Sequence, residues 1–337
     1  MTEIIIFILG IALLLYVLLG GADFGAGIIE MFTGKKEIDT ISKAIAPVWE
    51  ANHIWLILAV VIIFNGFPHV FAVLTTYLHI PLFIILIGII LRGTAFTFRY
   101  YDTINKDTPK YYSLLFRISS LLTPFFLGVT LGATILGKIP PNVKGTFYEV
   151  FITPWVNIFT ISTGIFLTLM FGWLASVYLT GEVSDIKSYR AFAKISRIIF
   201  VILVISGLSV FLAAEICGLH LFEKFIHSRI AISCVLLATL IIPFLWHNIK
   251  HRKSMQTRLL AGIQMACIIT GWFAIQFPVM IYISDGPHLT IWNSQAPERT
   301  MSLLVYALIS GILLIFPAFI YLFKVFKFGD KGNINAI

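Results

Sequence analysis

The chain has 337 residues, of which 59% are hydrophobic and 12% charged, and its formal net charge is +8. Soluble globular domains carry about 25% charged residues, so this composition excludes an ordinary soluble domain. The mean hydropathy of +0.95 indicates an integral membrane protein. The basic residues are spread over several separate loops. A nucleic-acid-binding protein gathers such residues on one face, so we exclude that class as well.

Nine apolar stretches are each long enough to cross a bilayer as a helix, which takes about 20 residues. Backbone N–H and C=O groups inside lipid must be paired within the segment, so runs of this length predict helices. In chain order the predicted spans are 4–32, 50–74, 77–99, 113–137, 155–180, 195–215, 227–248, 258–283 and 300–326. The expected fold class is an all-α integral membrane protein in which residues 1–337 form a single polytopic domain.

Lys and Arg fall mainly on alternate connecting segments. One set of segments carries 18 of the 24, namely Lys35, Lys36, Lys43, Arg99, Lys106, Lys110, Arg117, Lys187, Arg190, Lys194, Arg197, Lys250, Arg252, Lys253, Arg258, Lys324, Lys327 and Lys331. The other set carries Lys138, Lys144, Lys224, Arg229 and Arg299, and Arg92 lies inside the third span. Because Lys and Arg concentrate on the cytoplasmic side, the pattern predicts an N-terminus outside the cell and a C-terminus in the cytoplasm.

Four ionisable residues fall within the first three spans, where such groups are energetically expensive and commonly functional. The predicted topology brings Asp23, Glu50, His53 and Arg92 to a similar depth near the cytoplasmic side. One interpretation is a proton-uptake site, in which the carboxylates exchange protons and His53 relays them. The other is a structural ion pair, between Arg92 and either Asp23 or Glu50, that locks three helices together.

Two other groups of residues carry no functional prediction. Glu30 is expected at the membrane interface, close to Lys35 and Lys36. A haem requires an axial His, Met or Cys, and no histidine falls at mid-depth with a partner opposite it. We therefore expect this chain to supply no catalytic residue and to bind neither a cofactor nor a metal by itself.

Four segments of the first third are more specific than a membrane span requires. They are Gly21–Gly27 (GADFGAG), Ala46–Leu56 (APVWEANHIWL), Phe67–Pro68 and Arg92–Arg99 (RGTAFTFR). In this order and spacing the series resembles subunit II of the cytochrome bd quinol oxidases, and the last segment is most similar to the cyanide-insensitive branch. The resemblance continues more loosely to the end of the chain.

The resemblance implies nine helices arranged as two four-helix bundles plus one peripheral helix, beside a haem-bearing subunit I in a prokaryotic plasma membrane. Subunit I would carry b-type and d-type haems, or b-type only, and would oxidise quinol and reduce oxygen to water. Subunit II would help to conduct cytoplasmic protons to the oxygen-reducing site. A small accessory subunit, and a structural quinone or lipid within this chain, remain open.

The resemblance also assigns roles to residues. Asp23 matches the aspartate of the family's Gly-x-Asp-x-Gly motif, to which proton uptake is attributed, and Glu50 matches an acid that is commonly Asp. Residues expected to give polar or structural support are Trp49, Asn52, Arg92 and Arg99. The chain departs from the family at two positions: Gly20 replaces an acid that many members carry, and His53 replaces a frequent Gln or Glu.

Two other classes of function could use the same polar cluster. An ion-coupled secondary transporter would place Asp23, Glu50 and Arg92 at a substrate site, although transporters commonly show inverted repeats and paired broken helices, which this sequence does not show. A purely structural assembly partner would use the cluster only to fix helix packing.

Overall fold

The computed structural model describes residues 1–46, 49–101, 109–183 and 185–323. Residues 47 and 48 of the second motif, Lys106 and the lysines after residue 323 lie outside the described residues. Within the described ranges, nine helices are long and apolar enough to cross a membrane, which confirms the all-α class and the predicted number of spans. We number them span 1 to span 9: Thr2–Glu30, Trp49–Gly66, His79–Arg99, Lys110–Leu136, Ile158–Leu179, Ile186–Ile216, Arg229–Lys250, Ser254–Gln276 and Glu298–Ala318.

Several spans differ in detail from a single continuous helix. Span 1 consists of the α-helix Thr2–Leu15, a π-helical turn Tyr16–Gly20 and the α-helix Gly21–Glu30, and span 2 of Trp49–Asn52 and Ile54–Gly66. The helices of spans 3, 4 and 9 extend over His79–Tyr101, Pro109–Leu136 and Glu298–Phe323. The connecting elements are the helices Lys35–Ile45, Pro68–Tyr77, Phe147–Phe151 and Leu221–His227 and the antiparallel strands Val279–Ile281 and Leu289–Thr290.

Two predicted helix ends are wrong because a proline intervenes. Span 2, predicted to continue to residue 74, ends at Gly66, and Pro68 begins a new helix, where its missing N–H costs nothing. Span 8, predicted to continue to residue 283, ends at Gln276. Phe277 precedes Pro278, and a residue before proline disfavours the helical conformation.

The beginning of span 6 was predicted too late, at residue 195. Its helix starts at Ile186, where the Asp185 side chain accepts a hydrogen bond of 2.9 Å from the Ser188 N–H as an N-cap. The hydrogen bonds from Ser188, together with the ion pair to Lys36, lower the pKa of Asp185 to about 2. The cap is therefore charged throughout the neutral pH range. The first turns of this helix are polar, so the hydropathy of the sequence does not reveal where the helix begins.

The helix Lys35–Ile45 was not predicted. Ile41 and Ile45 on one of its faces are buried in the core, whereas Lys36 on another face pairs with Asp185 at 3.2 Å. Glu37 also accepts a hydrogen bond from the Ser188 hydroxyl at 3.3 Å. These contacts hold the helix across the ends of spans 1 and 6.

Span 5 lies at the centre of the molecule and packs against spans 1, 4, 6 and 8. Gly25 brings the backbones of spans 1 and 5 close together. A Cβ at Gly25 would overlap the backbone carbonyl of Phe171, so only glycine fits there. Span 9 packs against spans 1 and 2 and is largely exposed, as the resemblance implies for a peripheral helix.

The connecting segments separate into two groups at opposite ends of the spans. At one end, which we call the basic end, lie residues 31–46, 49–53, 180–183, 185 and 251–253. Lys36 contacts Asp185 there, and Arg252 lies over the ring of Tyr189. At the other end, Ala296 donates to the Gly66 carbonyl at 2.8 Å and Ile139 bridges to Ile283. The basic end is the one to which the sequence assigned most Lys and Arg.

Candidate functional site

The π-helical turn of span 1 lies immediately before Asp23. A π-turn leaves a backbone carbonyl without its usual helical partner, and such turns are frequent at functional sites. Here the side-chain amide of Asn52 donates to the Leu19 carbonyl at 3.3 Å. This hydrogen bond joins spans 1 and 2 beside Asp23.

Asp23 forms a buried ion pair with Arg92 of span 3. Arg92 Nη2 lies 2.7 Å from Asp23 Oδ1 and 3.0 Å from the Asp23 backbone carbonyl, and the two side chains are only 2% and 1% exposed. Arg92 Nε donates to the Ser120 hydroxyl at 3.2 Å. The guanidinium also lies over the rings of Phe24 and Phe116, at 4.8 and 5.0 Å. One of the two ion pairs considered from the sequence is therefore present.

A second buried ion pair lies closer to the basic end and corrects the expectation for Glu30. This carboxylate is fully buried and pairs with Arg99 of span 3 at 2.7 Å and with Arg117 of span 4 at 3.4 Å. Arg99 also donates to the Ser42 hydroxyl at 3.0 Å. Glu30 does lie at the end of span 1, but the fold pairs it with two arginines that are distant in the sequence and not with Lys35 or Lys36.

Several buried polar atoms around Asp23 have no hydrogen-bond partner among the described residues. They are Asp23 Oδ2, Asn52 Oδ1, His53 Nδ1, Arg92 Nη1 and the Tyr16 hydroxyl. The His53 ring contacts the rings of Phe24 and Tyr16, with centroids 5.8 and 6.3 Å apart. Buried polar groups are nearly always satisfied by protein or by water, so this concentration indicates a hydrated site.

A cavity of about 340 Å³ connects this cluster with the basic end. Asp23 and Asn52 line its inner part, and Glu182 and Arg258 line the part at the ends of spans 5 and 8. Arg258 pairs with Glu182 at 2.7 Å and donates to the Tyr178 carbonyl at 2.8 Å. The cavity is large enough for several water molecules, and both Asp23 and the Glu182–Arg258 pair line it.

Glu50 and Trp49 occupy the first turn of span 2. Trp49 packs on span 3, where its ring lies 5.7 Å from that of Phe96, and a Cβ on Gly93 would approach it to 3.1 Å. Glu50 is exposed on the surface of the chain. The structure therefore brings Asp23, His53 and Arg92 together but leaves Glu50 at the outside of this cluster.

The histidines do not fit a haem held within this chain. All eight lie in the described part of the chain, and seven of them are exposed. His53 is the exception, and aromatic rings surround it. Bis-axial ligation would need a second ligand facing it across the macrocycle. No group of three or more His, Cys, Asp or Glu suited to a metal occurs among the described residues.

In the part of the chain that the structure describes, nine spans around a buried, ion-paired carboxylate define a multi-pass membrane protein that holds a protonatable group within the bilayer. The family described as cytochrome bd terminal oxidase subunit II matches residues 1–326. The chain belongs to this family. It is thus a subunit of an oxidoreductase complex that contains haem and a subunit I partner.

Individual relatives cover most of the chain at low identity. A cytochrome bd ubiquinol oxidase subunit 2 of Bacillus subtilis is 24% identical over 92% of this chain and 90% of the relative. A putative cytochrome bd menaquinol oxidase subunit II of the same organism is 25% identical over 95% and 94%. The solved bd oxidase of Geobacillus thermodenitrificans matches with a TM-score of 0.77 over 97% of this chain and 98% of that chain, at 20% identity. That likeness supports the fold.

Proposed function

We propose that this chain conducts protons from the cytoplasm toward the oxygen-reducing site of its partner subunit. The observation that carries the proposal is that the two oxygens of the Asp23 carboxylate have different surroundings. Oδ1 is bound by Arg92, whereas Oδ2 is buried without a partner and Asp23 lines the cavity that leads to the basic end. One oxygen anchors the side chain, and the other would accept a proton from a water molecule that reaches it from the cavity.

The groups around Asp23 suit a short relay. Water in the cavity would deliver a proton to Asp23 Oδ2, and Arg92 would hold the carboxylate in place while it is charged. His53 and the Tyr16 hydroxyl lie beside Phe24 and offer the next polar atoms. Glu50, exposed at the basic end one turn before His53, would offer a second point at which protons enter from the cytoplasm.

In the complex, this role would serve the reaction that the family name implies. Quinol oxidation supplies electrons, and reduction of oxygen to water consumes protons, which this chain would draw from the cytoplasm. The haems, b-type with or without a d-type, would lie in subunit I, in a bacterial plasma membrane. The basic end would face the cytoplasm and the N-terminus the outside.

Replacing Asp23 by Asn in the complete oxidase tests the proposal. The amide keeps the shape of the side chain but cannot carry a proton, so we expect quinol-dependent oxygen uptake to fall at least tenfold. The haem absorbance spectrum and copurification of subunit I should be unchanged. Glu215→Gln, which neutralises an exposed carboxylate at the opposite end, is the matched control and should keep full activity.

Two outcomes would count against a proton role. Wild-type oxygen uptake in the Asp23→Asn enzyme would show that no obligatory proton passes through this residue. Loss of the haems or of subunit I would assign the Asp23–Arg92 pair to assembly, which the buried ion pair also suits. Family membership favours the oxidase role over the secondary transporter.

A further inference from the structure

A basic cleft lies between spans 6 and 7 at the basic end, separate from the Asp23 cavity. Its volume is about 760 Å³. The ionisable side chains that line it are Arg190, Lys194, Arg197, His247, Lys250 and Arg252. We propose that this cleft binds the headgroup of an anionic phospholipid.

Among the described residues no carboxylate lines the cleft, and the acids nearest to it in sequence are engaged elsewhere. Asp185 caps the first turn of span 6 and pairs with Lys36, and Glu182 pairs with Arg258. In the part of the chain that the structure describes, neither Arg190 nor Lys194 takes part in an ion pair. Arg197 and Lys250 likewise form no ion pair with any described residue. A phosphate bound among these four positive charges would relieve their mutual repulsion.

Contacts between residues of spans 6 and 7 fix the shape of the cleft. The Tyr189 hydroxyl donates to the Ile249 carbonyl at 2.6 Å, which fixes the ends of spans 6 and 7 against each other. Arg252 lies over the Tyr189 ring at 4.6 Å, and Arg197 lies over the Trp246 ring at 5.9 Å. Aromatic stacking orients these guanidinium groups before any ligand binds, which lowers the entropy lost on binding.

The position of the cleft favours a lipid over a soluble anion. Directly toward the membrane interior, the same two spans present large apolar side chains to the outside, among them Val201, Ile202, Leu240 and Phe244. Acyl chains can therefore follow the groove while the phosphate stays among the arginines. Tyr189 and Trp246 lie where aromatic residues are enriched, at the headgroup level. Basic pockets between helix ends on the cytoplasmic side are known to bind anionic headgroups.

The chain offers a closely matched pair of variants. Arg190→Gln combined with Lys194→Gln removes two charges from the cleft. Lys187→Gln combined with Lys253→Gln removes two exposed charges from the same helix ends without touching its lining. Each basic residue near an anionic lipid contributes about a factor of five in affinity, so the first double variant should bind phosphatidylglycerol roughly tenfold or more weakly, and the second nearly as the wild type.

Native mass spectrometry of the purified oxidase complex, titrated with phosphatidylglycerol, phosphatidylcholine or inorganic phosphate, would measure this. We expect one tightly held phosphatidylglycerol that phosphatidylcholine does not replace and inorganic phosphate does not displace. Equal losses in both double variants would reduce the effect to diffuse charge, and displacement by inorganic phosphate would make the cleft a general anion site. Either result overturns the proposal. A complex without bound phosphatidylglycerol, in which subunit I covers the cleft, would overturn it as well. The proposal does not depend on the Asp23 relay; only its placement in the inner leaflet rests on the proposed orientation.

Discussion

Because the Asp23–Arg92 ion pair is buried, the stability of the protein should be sensitive to the loss of either partner. Replacing Arg92 by Met would leave a buried carboxylate without its counter-charge, and the loss of one partner from such a pair typically destabilises by roughly 3–5 kcal/mol. We expect a clearly lower thermal unfolding temperature for the complex. Arg299→Met, at an exposed position in the first turn of span 9, should have little effect.

A double variant separates stability from proton transfer at the same pair. Asp23→Leu together with Arg92→Met replaces both charges with apolar groups and should recover most of the lost unfolding temperature, because no charge remains buried alone. Oxygen uptake should stay low, since the protonatable group is gone. Recovery of activity along with stability would assign the pair a structural role only.

At this scale the sequence predicted the members of the polar cluster better than their pairings. Asp23 and Arg92 could be matched because both are ionisable and lie at a similar depth. Glu30 could not be placed, because its partner Arg99 is 69 residues away and only the packing of spans 1 and 3 brings them together. Glu50 was expected within the cluster, yet the first turn of span 2 exposes it, because that turn directs Trp49 onto span 3 instead.

The close approach of spans 1 and 5 at Gly25 provides a test at the level of elements. Gly25→Ala would place a methyl group on the Phe171 carbonyl, and backbone cannot move aside as a flexible side chain can. We expect a large fall in the yield of folded complex by fluorescence-detected size-exclusion chromatography. Gly10→Ala, in the same span but with no atom within 4 Å of the new methyl, should give the wild-type yield.

A wild-type yield for Gly25→Ala would mean that spans 1 and 5 can separate without consequence for assembly.

The helices also show which features hydropathy predicts and which it does not. It located all nine spans, because lipid requires long apolar helices. It misplaced the ends of spans 2 and 8 and missed the helix Lys35–Ile45, since prolines, caps and amphipathic faces determine those features.

For the whole molecule, the uneven distribution of Lys and Arg between the two ends predicts which way the chain crosses the membrane. The structure groups the segments as the charge pattern does, but grouping alone does not say which end faces the cytoplasm. Positive residues resist translocation and are attracted to the anionic inner leaflet, so the end with 18 of them should stay inside.

Two reporters can decide the orientation independently. Green fluorescent protein, which fluoresces only when it folds in the cytoplasm, should be bright when fused after Ile337. Alkaline phosphatase, which is active only outside, should be active when inserted after Lys144, in an exposed segment of the opposite end. The reverse pair of results would place the mouth of the Asp23 cavity on the outside. The carboxylate would then face the wrong compartment for proton uptake, even if its substitution still slowed oxygen reduction.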